Sequence, residues 1–352
     1  MQEHLRASVV VVTFNHRDVI RGCLEAVWPT LGQADEVIVV DNASSDGTPD
    51  EVAATYPWVR LIRSETNRGF GAACNQGATA ARGEYLIFLN PDTQPCDHWL
   101  DALLEGLSAV PGAGLATARL LLARAPHLID TFGNAVHISG ITTSRGWGEA
   151  ATAHTKLEEV SAISGACFAI AKPVFQKLGG FDERLFLYYE DTELSLRARM
   201  AGYRCVGVAD ARVMHDHRPG FSAAKLRYLE RNRWWTLLKL YRWRTIIALA
   251  PVLMLGEIVA WAMAVRSGPG HVLAKLLAWR DLARWLPDLA AARASAARLR
   301  TVSDHEILRL HATHLHFGQV ATGPFVRLAE RAAEAGFRSG HLVAAALGAR
   351  AR

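Results

Sequence analysis

Three short apolar runs, each ending in polar residues, constrain this fold more than anything else in the chain. They are Ser8-Val-Val-Val-Val-Thr-Phe-Asn15, Glu36-Val-Ile-Val-Val-Asp41 and Glu84-Tyr-Leu-Ile-Phe-Leu-Asn90. Runs of this length, rich in Val and Ile and without a polar alternate face, read as strands buried on both sides. Helical patterns lie between them. One covers about Asp18 to Val27 and is closed by Pro29. A second opens at Thr48-Pro-Asp-Glu51, with Thr48 as cap, Pro49 at the first position and Glu51 completing a capping box. Val59 to Ile62 is a further short strand, and Asn67-Arg-Gly-Phe-Gly71 opens a small-residue helix through about Ala81. Strands alternating with helices through short turns predict an α/β fold with a mostly parallel central sheet and flanking helices. Ligands of such sheets sit at the carboxyl ends of the strands. Here those ends carry Thr13 to Asn15, Asp41, and Asn90 to Asp92.

The same strand ends exclude familiar alternatives. No Gly-x-Gly-x-x-Gly follows the first strand and no Gly-Lys-Ser/Thr loop occurs, which argues against a dinucleotide enzyme and a P-loop ATPase. The place of a Gly-rich phosphate loop reads Thr13-Phe-Asn-His-Arg17, without glycine, which argues against a sugar nucleotidyltransferase. The five cysteines are scattered, with no Cys-x-x-Cys pair, as expected of a reducing compartment rather than a disulfide framework. With 352 residues there is room for two domains, expected at 1–222 and 223–352.

A polar stretch in the middle stands out against this frame. Phe186-Leu-Tyr-Tyr-Glu-Asp191 leads into a helical pattern with Leu194, Leu196, Ala198 and Ala201, stopped by Gly202. Asp191 therefore lies at a helix N-terminus, where free amides and the helix dipole favour its charge. It is either a simple cap or, if it faces a cleft, a base able to take a proton from an incoming hydroxyl. Upstream, Ser161 to Ile170 reads as a strand interrupted by Gly165, a glycine that marks a bulge or a close approach. A short helix follows from Pro173 to Leu178.

Taken together, Val10-Val-Val-Thr-Phe-Asn15, Val40-Asp-Asn-Ala-Ser-Ser-Asp-Gly-Thr48, Asn67-Arg-Gly-Phe-Gly-Ala-Ala-Cys-Asn-Gln-Gly77, Leu89-Asn-Pro-Asp92 and Tyr189-Glu-Asp-Thr-Glu193 resemble the family 2 glycosyltransferases, which have the GT-A fold. The resemblance covers roughly Val9 to His217 and implies a Rossmann-like, mixed but mostly parallel sheet. Within the family it is most similar to bacterial rhamnosyltransferases that build cell-wall or surface polysaccharide. It implies a nucleotide-sugar donor held by Thr13, Asn15, Asp41, Asn67, Arg68, Gly69 and Asn90, with Asp41 on the base or ribose and residues 67–69 bordering the diphosphate and sugar. It places Ser164 to Ala166, Gly165 among them, near donor sugar and acceptor, with Tyr189 and Glu190 on the acceptor. It assigns Asp191 as the base of a single displacement with inversion. Asp41 as a strand-end turn residue, the tyrosines as packing and Arg68 as a surface arginine remain the bland alternatives.

The family's metal motif is Asp-x-Asp, binding Mg²⁺ or Mn²⁺ under the diphosphate. This chain has Asn90-Pro-Asp92, so Asp92 is the sole anionic ligand there. Hard divalent cations accept one or two carboxylates plus phosphate oxygens and water, so such a site can still work, with weaker or substrate-dependent metal affinity expected. The resemblance supplies a histidine from Met214-His-Asp-His217, with His215 expected as ligand and His217 as the other candidate. An imidazole suits Mn²⁺ better than Mg²⁺.

Composition changes near Gly220. Basic and aromatic residues alternate from Lys225 to Arg244, and Thr245 to Val265 follows, apolar apart from Thr245 and Glu257, with Pro251 as an expected kink. Basic and aromatic flanks on an apolar helix belong to membrane interfaces. Nucleic acid is not expected as a partner, because the apolar run does not fit it. The segment reads as a C-terminal helical membrane-associating region: a peripheral or re-entrant anchor, a span, or a core helix. That reading, with a lipid-linked or polysaccharide glycan acceptor, places the protein on the cytoplasmic face of the plasma membrane. His305, His311, His314 and His316 read as a solvated helix face rather than a zinc site, and Ala321 to Arg352 as helix and tail. The best specific function is L-rhamnose transfer from dTDP-rhamnose. UDP-hexose or galactofuranosyl transfer is the alternative within the family, and a non-catalytic nucleotide- or glycan-binding module on the same fold the alternative outside it.

Overall fold

The structure is a computed structural model describing residues 5–217 and 220–314. Contacts divide the chain into two compact units. One comprises Met1–Gly133, Ser144–Leu194 and Tyr203–His217; the other comprises Asn134–Thr143, Ser195–Gly202 and Arg218–Arg352.

The first unit is built on a sheet. Its strands are β1 (Ala7–Thr13), β2 (Asp35–Asp41), β3 (Val59–Arg63), β4 (Tyr85–Leu89), β5 (Thr93–Pro95), β6 (Ala113–Leu122) and β7 (Ala125–Thr131). After a small two-stranded sheet, β8 (Asn134–Val136) with β9 (Thr142–Ser144), come β10 (Glu158–Glu159), β11 (Cys167–Ala171) and β12 (Arg204–His215). The order is β10-β12-β6-β11-β4-β1-β2-β3, with β5 added on β12 and β7 on β6. β1 runs parallel to β2 and β4, β2 to β3, and β6 to β12. β11 is antiparallel to both neighbours, so the sheet is mixed.

The apolar runs are buried for the reason their composition suggested: helices cover both faces. All seven residues of β1 are buried. Helix α1 (Arg17–Val27) buries Ile20, Cys23, Leu24 and Val27, the spacing of one helical face. After α2 (Thr48–Thr55), α3 (Phe70–Ala80) lays Ala72, Ala73, Cys74 and Ala78 inward, and α4 (Trp99–Ala109) buries Trp99, Leu100, Leu103 and Leu107. Helices α5 (Lys172–Leu178) and α6 (Glu190–Met200) complete the region that carries the site.

Three local expectations need correction. Thr48 does not cap α2. Gly47, at φ +86°, is the cap residue, and the Asp46 carboxylate accepts from the Thr48 amide at 3.0 Å. The strand expected over Ser161 to Ile170 begins only at Cys167. Pro251 does not kink a long helix; it occupies the first turn of one, where its missing N–H costs nothing.

In the second unit, α7 (Ala223–Leu240), α8 (Trp243–Ala248), α9 (Ala250–Ser267), α10 (Pro269–Trp285), α11 (Leu289–Leu299) and α12 (Asp304–Leu308) follow in order. α9 is long and apolar enough to cross a membrane by length and composition, and 28% of it is buried. Its one acid, Glu257, accepts from Arg233 at 2.7 Å, Trp234 at 2.8 Å and Lys275 at 2.7 Å. Arg233 and Lys275 are themselves buried beside Glu230, whose carboxyl they hold down at about 2 against the effect of burial. His311 is also buried, its Nε2 2.9 Å from the Tyr241 hydroxyl, so it does not lie on a solvated face. His316 and Ala321 to Arg352 lie outside the described residues.

Candidate active site

The first wall of the site is the carboxyl end of β1 and β2. Thr13 and Asp41 are register partners on these strands, so their side chains meet at one place. Asn42 donates its amide to the Thr13 carbonyl at 2.8 Å, which closes the gap between the two strand ends. Asp41 Oδ2 accepts from the Ser44 amide at 3.1 Å. Asn15, at φ +56°, clips the same loop: its amide donates to Ser44 Oγ and its side-chain oxygen accepts from the Ser45 amide, both at 2.8 Å. Thr13 Oγ1 and Asp41 Oδ1 are buried and make no hydrogen bond. Buried polar atoms are seldom left so, and a bound ligand could supply the missing partners.

The second wall is the loop before α3. The Asn42 side chain organises it, donating to Asn67 Oδ1 at 2.9 Å and the Gly69 carbonyl at 3.2 Å, and accepting from the Arg68 amide at 3.1 Å. Gly69 stands at φ +89°, and a Cβ there would come within 2.3 Å of the Phe186 carbonyl oxygen. Only glycine fits this left-handed, crowded position. Phe70 donates its amide to the same carbonyl at 2.7 Å. The Arg68 guanidinium turns outward to pair with Glu183 at 2.9 Å.

The third wall is the Asn90-Pro-Asp92 turn. The Thr93 hydroxyl donates to the Asn90 carbonyl at 2.6 Å. Pairing of Thr93 with His215 brings the end of β12 beside Asp92. His215 is buried between two carboxylates: Nδ1 lies 2.7 Å from Asp130 Oδ2, and Nε2 faces Asp92 Oδ1 at 3.4 Å. Burial pushes the imidazole down, but Asp130 and then Asp92 outweigh it and raise its pKa to about 9. Burial likewise works against the Asp92 carboxylate, which His215 holds below the usual carboxylate range. Ligand atoms of Asp130, His215 and His217 lie within 4.8 Å of one another.

This donor set fits a divalent cation. Asp92 Oδ1 is buried, makes no hydrogen bond and faces the Nε2 edge of His215. Asp130 fixes the opposite ring nitrogen, the arrangement in which a carboxylate orients a metal-binding histidine.

The base side is joined to this turn by a single dipeptide. The Asn90 amide donates to the Ala166 carbonyl at 2.9 Å, and the neighbouring Gly165 amide donates to Asp191 Oδ2 at 2.9 Å. A Cβ on Gly165 would stand 3.3 Å from Asp191 Cβ and Oδ2, so the glycine marks a close approach, as its position suggested. Asp191 is the second residue of α6, and its Oδ1 accepts from the Thr192 amide at 2.6 Å. Two amide donors and a helix N-terminus stabilise the ionised carboxylate. Glu190 beside it is buried, its Oε2 without a hydrogen-bond partner, and burial together with the Asp191 charge pushes it up to about 8. Ahead of the pair the backbone is left-handed at Phe186, Tyr188 and Tyr189 (φ +63°, +64° and +75°), and Tyr189 is buried.

Asn42 and Asp130 were not singled out from the sequence. Asp130 had one signal, an acid inside the apolar stretch Leu128-Ile-Asp-Thr-Phe132. Asn42 had none beyond its place next to Asp41.

Residues 8–179 match the family described as Glycosyl transferase family 2. The N-acetylglucosaminyl-diphospho-decaprenol L-rhamnosyltransferase of Mycobacterium tuberculosis is 30% identical over 230 residues, covering 59% of this chain and 75% of that protein. The chain belongs to glycosyl transferase family 2. Another relative of this family 2 glycosyltransferase is the O-antigen biosynthesis protein RfbC of Myxococcus xanthus, 30% identical over 223 residues, or 60% of this chain and 17% of that protein. Among solved structures, GalNAc-T7 with UDP, GalNAc and Mn²⁺ superposes with a TM-score of 0.65 at 16% identity, covering 88% of this chain and 57% of that one. S. aureus TarS 1–349 with UDP gives 0.54 at 15% identity, covering 96% and 90%. The fold is therefore GT-A, with the expected mixed sheet, and the family 2 glycosyltransferase resembles bacterial rhamnosyltransferases as the motifs implied.

Proposed function

We propose that this enzyme transfers a sugar from a nucleoside diphosphate to an acceptor hydroxyl with inversion at the anomeric carbon. The observation that carries the reading is the Gly165–Ala166 dipeptide, which bonds Asp191 through one amide and the Asn90-Pro-Asp92 turn through the next carbonyl. In this reading Thr13, Asn15 and Asp41 take the nucleoside, with the unpartnered Thr13 and Asp41 oxygens meeting its polar atoms. Asn67, Arg68 and Gly69 border the diphosphate and sugar, together with Asn90. Asp92 and His215 hold a divalent cation, which when bound neutralises charge on the departing diphosphate. Asp191 accepts the proton of the acceptor hydroxyl as that oxygen bonds to the anomeric carbon and the carbon–phosphate oxygen bond breaks. Glu190, carrying its proton near neutral pH, donates to and positions the acceptor, next to Tyr189 and Gly165.

For the substrates, the name of the mycobacterial relative supports L-rhamnose as the sugar and a lipid-linked acceptor; dTDP-rhamnose as donor and the cytoplasmic face of the membrane complete the proposal. The test is Asp191→Asn with a panel of dTDP-, UDP- and GDP-sugars. Thermal stabilisation by the donor should persist while transfer falls by about 10²- to 10⁴-fold, the usual worth of a positioned base. Near-wild-type turnover in the variant removes Asp191 from the role.

A further inference from the structure

The second unit carries two features that the transfer reaction does not use. One is a cavity of about 730 Å³ lined by Lys239, Arg242, Arg244, Arg293 and Arg300. Its charge is poorly balanced. Arg293 and Arg300 both donate to backbone carbonyls at the end of α7, from Leu238, Leu240 and Tyr241, which satisfies their N–H groups without cancelling their charge. Asp304 answers Arg300 and caps the start of α8 through the Arg242 amide and the Thr245 hydroxyl. Arg242 and Arg244 are exposed and pair with no carboxylate among the described residues. Burial and the nearby Arg300 both lower Arg293, as expected where cations gather without enough counter-charge.

The other feature begins at the cavity rim. Trp243, stacked with Arg293 at 4.3 Å, and Ile247 are 49% and 71% exposed. From Ala250 to Val265 of α9 the exposed positions are Pro251, Met254, Ile258, Ala262 and Val265, which recur every three or four residues and so form one stripe. Met254, Ile258 and Val265 are each about two-thirds exposed, at 67%, 63% and 66%. Arg244 precedes the run and Arg266 closes it, both exposed. The only acid in the run, Glu257, is turned away into the Arg233 and Lys275 cluster.

From this arrangement we infer that the second unit rests on an anionic phospholipid bilayer, with the α9 stripe in the acyl boundary and lipid phosphates in the arginine cavity. The helix lies in the membrane plane. Crossing would carry Glu257 and the buried cations bonded to it into hydrocarbon, whereas lying flat buries only the apolar stripe. A protein partner fits less well. Protein interfaces need about one hydrogen bond per 100–200 Å², and none of the five stripe residues has a polar side chain. Exposed tryptophan next to arginine is the pairing that headgroup depth favours.

The full chain, mixed with phosphatidylcholine vesicles and with vesicles that also contain phosphatidylglycerol, should sediment with the second kind and be released by salt. Arg242→Gln combined with Arg244→Gln should weaken that binding by about 25-fold, some fivefold for each cation lost near an anionic surface. Ile258→Glu should weaken it at least as much. All these positions are exposed, and circular dichroism checks that the variants are folded. Asp191→Asn should bind vesicles as the wild type does, so failure here is separable from failure of the transfer reading. Equal binding to both vesicle types, no effect of the arginine pair, or binding by free pyrophosphate without any lipid preference overturns the inference. So does a size-exclusion shift from dimer to monomer in Ile258→Glu, which would assign the stripe to a second copy, or a crosslink from the stripe to residues 315–352.

Discussion

Replacing Glu190 by Gln should stabilise the protein at alkaline pH and do little in acid. The carboxyl is buried beside Asp191, and its pKa rises from the ordinary 4.5 to about 8. Below the ordinary value, folded and unfolded chains both carry the proton and no difference arises. Between 4.5 and 8 the unfolded chain ionises while the folded one keeps its proton, so stability falls as pH rises. Above 8 the penalty is complete. That gap corresponds to at most about 5 kcal/mol, at roughly 1.4 kcal/mol for each tenfold step. Water entering a relaxed site reduces the bound, so the gain expected at pH 9 is on the order of 2 kcal/mol. Urea unfolding of wild type and Glu190→Gln, from about pH 5 to pH 9, measures it. The difference should grow with pH and level off near pH 9. A difference independent of pH, or a variant that loses stability at pH 9, refutes the account of this buried pair.

Two further outcomes follow from the geometry. Gly69→Ala puts a methyl group against the Phe186 backbone in a left-handed conformation. It should cost at least about 2 kcal/mol in urea unfolding, from roughly 1–2 for the conformation plus the clash; a neutral substitution would mean the loop does not sit against Phe186. Asp130→Asn removes the carboxylate that orients His215. Titration with Mn²⁺ should show a 10- to 100-fold weaker affinity, the usual effect of losing such a support; unchanged affinity would take His215 out of the metal site.

What could be read from the sequence was whatever burial on both faces forces into composition. β1, β2 and β4 have no exposed face, so nearly every position is apolar and the polar strand ends stand out. Gly165 was legible as a close approach, since a lone glycine among apolar residues has few other reasons to be there. Pairings across long separations were not legible. His215 and Asp130 are 85 positions apart, and nothing in either neighbourhood names the other. The start of α2 was not legible because Gly47 takes the cap position in a left-handed conformation, and the Asp46 carboxylate beside it accepts from the Thr48 amide. The apolar run near Glu257 showed that a helix wants a greasy surface. It did not show which way the acid turns, which depends on Arg233 and Lys275 in other helices.

The stretch ahead of Asp191 has a consequence for how such enzymes are altered. Phe186, Tyr188 and Tyr189 hold a backbone twist that side chains normally avoid, and segments 67–75 and 181–186 fasten to each other in three ways: Phe70 on the Phe186 carbonyl, Asn75 on Phe181 in both directions, and Arg68 on Glu183. More than a hundred positions separate the two segments in the chain, yet each is bonded to the other where the backbone is strained. In recombination between relatives they must travel as one cassette: a chimaera with its crossover between them inherits half a clasp.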